Sequence, residues 1–223
     1  MPAIMQSMED GLIRSISTGL SQKGVRDHNE RLLLSLLQRN GPMPGSDLSK
    51  LAKLSPPTVS SILRRLEGEG ILERGESIRG KVGKPSIPMR LASNGVFSFG
   101  LKIGRRSTDL VLIDLNGDLR EERQLTYTVP VPADIFNFLE SSVRSITGAM
   151  PSEHVDRICG VGIAAPFEMW NWQDSSMDLS AAFAPWEGID LKTEAQSRTQ
   201  LPCLLYTSPS PRDQRGSRMP SSA

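Results

Sequence analysis

Thr58, Ser60, Ser61, Arg64 and Arg65, which follow Ser55-Pro56-Pro57, are the residues of this sequence best placed to do chemistry. That chemistry is recognition of a polyanion. Short hydroxyl side chains allow close approach to base edges, and arginine forks onto guanine or phosphate. The segment has to be a helix for those groups to act together. Ser55 is a helix-capping residue type, and Pro56 suits a first turn, where its missing N–H costs nothing. Val59, Ile62, Leu63 and Leu66 recur at i, i+3, i+4 and i+7, one apolar stripe that leaves the polar set facing outward. A solvated face is the default meaning of two outward arginines, so the neighbouring elements have to decide.

Upstream, Ser46 is expected to cap a short helix with Leu48, Leu51, Ala52 and Leu54 on its inner side, and Lys53-Leu54-Ser55 makes a tight turn into the next helix. That is helix-turn-helix spacing. Before it, Asn29 to Gln38 carries Leu32, Leu33, Leu34, Leu36 and Leu37, enough for a central supporting helix, and Asn40-Gly41-Pro42 ends it. Downstream, Ile71 to Arg74 and Ile87 to Leu91 read as two short strands. Gly75, Gly80, Gly83 and Pro85 mark a hairpin between them, with Arg79, Lys81 and Lys84 at its tip. A basic, glycine-rich tip suits a minor groove or a phosphate backbone. Residues 22–92 are thus expected to form a winged helix-turn-helix domain whose partner is a double-stranded DNA operator. Ser55, Pro57, Thr58, Ser60, Ser61, Arg64 and Arg65 would lie in the major groove, with the wing on the backbone. Residues 1–21 are expected to be an N-terminal arm that either extends the first helix or is disordered.

Charge separates this part from the rest. The 223-residue chain is nearly neutral at +1, yet residues 22–92 hold 13 Lys and Arg against 7 Asp and Glu, a balance of +6. Residues 93–202 hold 9 against 15, a balance of −6, so only the first half suits a polyanion. With 38% hydrophobic and 23% charged residues, the composition is ordinary for a globular protein of two small domains. No stretch is apolar enough to span a membrane, and the start lacks a secretory pattern, so residence in the cytoplasm is the expectation. Cys159 and Cys203 make no disulfide framework or metal spacing, and His28 and His154 stand apart from any ligand pair. Cys159 reads as a small buried apolar residue.

Residues 93–202 read as α/β. Val96 to Ile103, Thr108 to Asp114 and Leu119 to Val129 have strand patterns, with Asn116-Gly117 as a hairpin turn between the second and third. Ile135 to Ala149 is a helix with Ile135, Phe138, Leu139, Ser142, Val143 and Ile146 inward. Arg157 to Ala164 is a further strand, in which Gly160 and Gly162 either permit close packing or cradle a ligand. The final stretch changes character. Read back into codons, Cys203 to Asp213 resembles a transposase-end sequencing adaptor, and Ser217 to Ala223 resembles the adaptor that follows a variable index. Residues 203–223 are therefore expected to be a non-native tail outside the fold, the alternative being a natural disordered Ser/Pro segment.

Several motifs together carry a family resemblance: the helix-turn-helix, the wing Gly80-Lys81-Val82-Gly83-Lys84-Pro85-Ser86, the strand pair from Phe97, Gly160-Val161-Gly162-Ile163-Ala164-Ala165-Pro166, and Ala184-Pro185-Trp186-Glu187-Gly188-Ile189-Asp190-Leu191. In this order they resemble the ROK family of repressors and sugar kinases, over residues 22 to 202. The resemblance implies an α+β two-domain chain: a winged helix-turn-helix followed by the N-terminal part of a ribonuclease H-like, actin-like ATPase domain. It implies a transcriptional regulator, of the repressor kind, that responds to a sugar or sugar derivative and works as a homodimer or higher oligomer. Kinase members carry Asp-x-Gly-x-Thr after the first strand, where this chain has Lys102-Ile103-Gly104-Arg105-Arg106-Ser107. The acidic residue is replaced by Lys102, and Arg105 and Arg106 replace small residues that let N–H groups approach phosphate. The family's catalytic aspartate and its Cys/His zinc site lie beyond residue 202, so this stretch is expected to hold no catalytic residue, metal or cofactor. A sugar kinase or kinase-derived sugar sensor with an accessory helical domain is the alternative.

Overall fold

The apolar stripe of the helix that follows Ser55 is buried in a small trihelical core. In a computed structural model that describes residues 22–77, 87–166 and 183–208, α1 spans Gln22–Asn40, β1 Met43–Pro44, α2 Gly45–Ala52 and α3 Pro56–Gly68. Strands β2 (Leu72–Arg74) and β3 (Pro88–Leu91) follow, and the three strands pair in the order β1-β3-β2, with β3 antiparallel to both neighbours. Leu33 and Leu37 of α1, Leu48 of α2, the Val59, Ile62, Leu63 and Leu66 stripe of α3, and Ile71, Leu72, Met89 and Leu91 form one buried cluster. Burying each such side chain stabilises by about 1.5–3 kcal/mol, which is why a short helix such as α2 persists here.

Two expectations for α2 are corrected. The residue that precedes it is Pro44, in extended backbone, and no side chain caps the helix, so Ser46 lies inside the first turn. Leu51 is 56% exposed, because only Leu48 of that helix meets the three-helix core squarely. The wing strands form, whereas residues 78–86, which include Arg79, Lys81 and Lys84, lie outside the described residues.

The chain divides into two compact units. The first comprises Met1–Phe97, Asp114–Asp118 and Ser152–Arg157, and the second Ser98–Ile113, Leu119–Pro151 and Ile158–Ala223. The second is built on a sheet of β4 (Phe97–Ile103), β5 (Ser107–Asp114), β6 (Leu119–Thr126), β7 (Ile158–Pro166) and β8 (Cys203–Ser208), in the order β6-β5-β4-β7-β8. Helix α4 (Pro132–Ala149) precedes β7, the single-turn α5 (Ser152–Val155) lies between them, and α6 (Leu191–Thr199) precedes β8. β5 and β6 are antiparallel, while β7 and β8 are parallel and joined through α6. The edge strand β6 is exposed almost throughout, and its Arg120-Glu121-Glu122-Arg123 run discourages pairing with another chain.

Two expectations about this sheet are corrected. The boundary at Pro202 does not end the fold: Cys203–Ser208 pairs with β7 from Val161↔Cys203 to Pro166↔Ser208. Cys203-Leu204-Leu205-Tyr206-Thr207 is an apolar and β-prone run behind a helix, which is sufficient for a strand whatever the origin of its codons. On α4, Phe136 rather than Phe138 enters the core, 6.3 Å centroid to centroid from the buried Trp186, whose indole N–H donates to Pro130 O at 2.7 Å. Gly160 has φ +153°, and a Cβ there would stand 2.4 Å from Pro202 O. That contact favours the close-packing meaning of this glycine, since Val161 N–H donates to the same carbonyl at 2.8 Å. Among the described residues no helix is long and apolar enough to cross a membrane.

Candidate nucleic-acid interface

Helix α3 is fixed at its start and from beneath. At its start, Ser55 sits in extended backbone and its Oγ accepts from Thr58 N–H at 3.4 Å, with Pro56 and Pro57 in the first turn. Ser55 Oγ also lies 2.8 Å from Thr58 Oγ1. The turn before it is locked by a residue that periodicity does not reveal. Ser49, buried on α2, donates its hydroxyl to Leu54 O at 2.6 Å, while Leu54 N–H donates to Ser49 O at 3.2 Å. Lys53 takes φ +55° to make the corner, a left-handed conformation that costs a non-glycine residue about 1–2 kcal/mol and is supported here by those two bonds.

Beneath the helix, Val59, Ile62, Leu63 and Leu66 are all buried. Pro57, Ser60, Ser61 and Arg64 are exposed on the opposite side, and Thr58 is half-buried. Arg64 keeps its place by donating Nε–H to Ser60 O at 3.3 Å. Arg65 behaves differently. It forms an ion pair with Glu30 of α1, a residue only 8% exposed, and lies 3.5 Å from Glu69 Oε1. Burial pushes the Glu30 carboxyl above the usual glutamate range, against the pull of Arg65. The structure thus brings Ser55, Pro57, Thr58, Ser60, Ser61 and Arg64 to one face and turns Arg65 toward α1.

A cleft of about 640 Å³ runs beside this face, lined by Val25, Arg26 and Asn29 of α1 and by Thr58, Ser61 and Arg65 of α3. Arg26 and Asn29 were not found from the sequence, because they lie on the solvent side of a helix read only for its leucines. The signal available was their i, i+3 spacing one turn before the buried leucines, which puts both on one face.

The stretch expected to be a degenerate phosphate loop is a tight turn between β4 and β5. Gly104 N–H donates to Ser107 O at 2.8 Å, Tyr127 N–H donates to Arg106 O at 3.0 Å, and Tyr127 Oη donates to Gly104 O at 2.8 Å. Lys102, Arg105 and Arg106 are exposed and Ser107 is half-buried. A Cβ on Gly104 would stand 2.8 Å from Ser107 O, so the glycine serves the turn itself.

Comparison with known proteins agrees with both parts. Residues 26–73 match the family model of winged helix-turn-helix DNA-binding domains. The chain is 24% identical over 188 residues to the xylose repressor of Bacillus subtilis (strain 168), an overlap of 82% of this chain and 47% of that protein. It is 27% identical over 111 residues to the DNA-binding transcriptional repressor Mlc of Escherichia coli (strain K12), covering 48% of this chain and 27% of Mlc. The crystal structure of a ROK family transcriptional regulator, a homologue of E. coli Mlc, matches with a TM-score of 0.53 at 17% identity, over 82% of this chain and 46% of that one.

This is the fold of a ROK family transcriptional regulator. The chain spans about half the length of the curated relatives it matches first. Within the ROK fold seen here, the helical head and the sheet unit each own a buried core, and the polar residues singled out by their spacing fall on the head's outer face.

Proposed function

We propose that this chain is the operator-reading portion of a sugar-responsive transcriptional repressor that resides in the cytoplasm. One observation carries the reading: α3 is capped by Ser55 and buries its apolar stripe, so that Ser60, Ser61 and Arg64 form an exposed polar face in a helix-turn-helix. In this reading Ser55, Pro57, Thr58, Ser60, Ser61 and Arg64 enter a major groove, Arg65 holds the helix to α1, and Arg79, Lys81 and Lys84 meet the backbone or minor groove. A sugar effector bound by the complete protein is in keeping with the relatives called xylose repressor and N-acetylglucosamine repressor, and a homodimer would match a two-fold operator. The chain is not itself a kinase in this reading. The turn at Gly104 spends that residue's N–H on Ser107 O, which removes it as a phosphate donor.

Gel-shift titration across salt tests it, using a duplex selected by the protein from a randomised pool. Arg64→Ala is expected to weaken binding by about 1–3 kcal/mol and to relax preference at one position. Lys84→Ala is expected to weaken all duplexes equally and to reduce the salt slope by about 1. Equal binding of every duplex by the parent and both variants would overturn the assignment of α3.

A further inference from the structure

The C-terminal end of the reading helix has an unusual partner. Gly70, at φ +70°, donates its N–H to Glu67 O at 3.0 Å, and Ile71 donates to Leu66 O at 2.9 Å, the paired bonds that close a helix on a left-handed glycine. Glu69 O lies outside that pattern and carries part of the negative end of the helix dipole. Arg157 reaches it from 88 residues along the chain: Nη1 donates to Glu69 O at 3.2 Å and to Gly95 O at 3.0 Å. These carbonyls belong to two turns pressed together, since a Cβ on Gly95 would stand 2.9 Å from Gly70 O and 3.1 Å from Ile71 Cα. The backbone of Arg157 is itself held, its N–H donating to His154 O and its carbonyl accepting from Phe97 N–H, each at 3.0 Å. All of these residues belong to the first compact unit.

We infer that Arg157 is a positioning residue for DNA reading: its guanidinium pins the end of α3 to the turn at Gly95 and so sets the pitch of the exposed polar face. This rests on the proposal that α3 reads DNA. A cation at a helix C-terminus is favourable, and one that also bridges a second turn fixes an angle as well as a charge. Helix α3 is then held at three points, by Ser55 at its start, by its apolar stripe, and by Arg157 at its end. The chain runs from Arg157 directly into Ile158, the first residue of β7, so the clamp is covalently joined to a strand of the second unit.

The full chain serves for the test, as Arg157→Ala and Arg157→Lys, titrated by fluorescence anisotropy across salt on a pool-selected duplex and on a scrambled one. Arg157→Ala is expected to lose about tenfold on the selected duplex with the scrambled duplex and the salt slope unchanged, and Arg157→Lys, which keeps the charge on a compact ammonium without the planar fork, to recover part of the loss. Amide exchange at Gly70 and Ile71 is expected to quicken in both variants, a readout independent of DNA and available in the lysine variant if the alanine one does not fold. Unchanged affinity for the selected duplex, or unchanged exchange, overturns the clamp. An equal loss on both duplexes with a reduced salt slope overturns it in favour of a phosphate contact. A parent that binds no duplex overturns the reading of α3, and this inference falls with it, whereas a parent that binds beside an unaffected Arg157→Ala overturns the clamp alone.

Discussion

Arg64-Arg65 on α3 and Arg105-Arg106 in the β4–β5 turn are the same dipeptide in opposite settings. On a helix, consecutive side chains diverge by about 100°, so Arg64 faces outward while Arg65 swings onto Glu30 of α1. In the turn, both arginines are exposed, and what holds the segment is backbone: Gly104 to Ser107 and Tyr127 to Arg106. The difference teaches that a helical backbone gives the two members of a cation pair separate surroundings, Arg64 facing solvent and Arg65 a strut against Glu30. In the turn both members share one exposed setting.

The comparison breaks most severely if the platform under the helical pair is removed. Leu66 is fully buried beneath α3, and Leu66→Ala is expected to cost about 2–5 kcal/mol through lost transfer energy and a residual cavity. Urea unfolding followed by circular dichroism would measure it, and DNA affinity should fall with the folded fraction. A loss below about 0.5 kcal/mol would mean that the stripe does not support the exposed polar face.

Removing the strut comes next. Arg65→Ala leaves the Glu30 carboxylate with little water and no cation, and is expected to cost about 1–3 kcal/mol near neutral pH. The sign of the pH dependence follows from burial, which holds Glu30 above its ordinary range. Its contribution to stability is complete below the unfolded-state value and is lost as pH rises through the raised folded-state value. Glu30→Gln should therefore flatten that part of the stability curve, and Arg65→Ala should steepen it. Unfolding measured from about pH 4 to pH 8 tests both, since an ordinary carboxylate titrates near the bottom of that window. A curve identical in all three proteins would show that Arg65 does not act as a strut on Glu30.

A smaller effect sharpens the comparison at the start of α3. Ser55 caps the helix at a long 3.4 Å, so Ser55→Ala is expected to cost about 0.5–1 kcal/mol, toward the low end for lost caps. The cost should be visible as a lower urea midpoint with an unchanged m-value.

Much of the head could be read from sequence because its signals are local. The Ser55 cap, the α3 stripe and the Lys53 to Ser55 corner depend on residues within one or two turns of each other, and each is found in place. What could not be read depends on distant partners. Glu30 meets Arg65 across two helices, Ser49 closes a turn by a hydroxyl, and Phe136 displaces Phe138 because Trp186 is waiting on the inner side. Strand β8 was missed for another reason. Its composition argued for a foreign tail, but strand formation responds to side chains and to an available edge of β7, and Cys203-Leu204-Leu205-Tyr206 supplies the side chains. The same logic explains Gly104, whose place in a phosphate-loop pattern says nothing about where its N–H is spent.

The turn provides the smallest expected effect and the sharpest control. Arg105→Ala with Arg106→Ala should change stability by no more than about 0.5 kcal/mol, because both side chains are exposed and the turn is closed by backbone groups that alanine retains. If the turn were a working phosphate site, removing two cations would abolish a stabilisation by ATP or inorganic phosphate that the parent shows. The bonds at Gly104 argue that no such stabilisation exists to lose, since its N–H already donates to Ser107 O and its carbonyl already accepts from Tyr127 Oη. Thermal unfolding of the parent and the double variant, with and without millimolar ATP, is expected to give four curves separated only by the small effect of the substitutions. A nucleotide shift present in the parent and absent from the variant would show that the second arginine pair also has a ligand, and that the contrast between the two pairs is one of partner rather than of function.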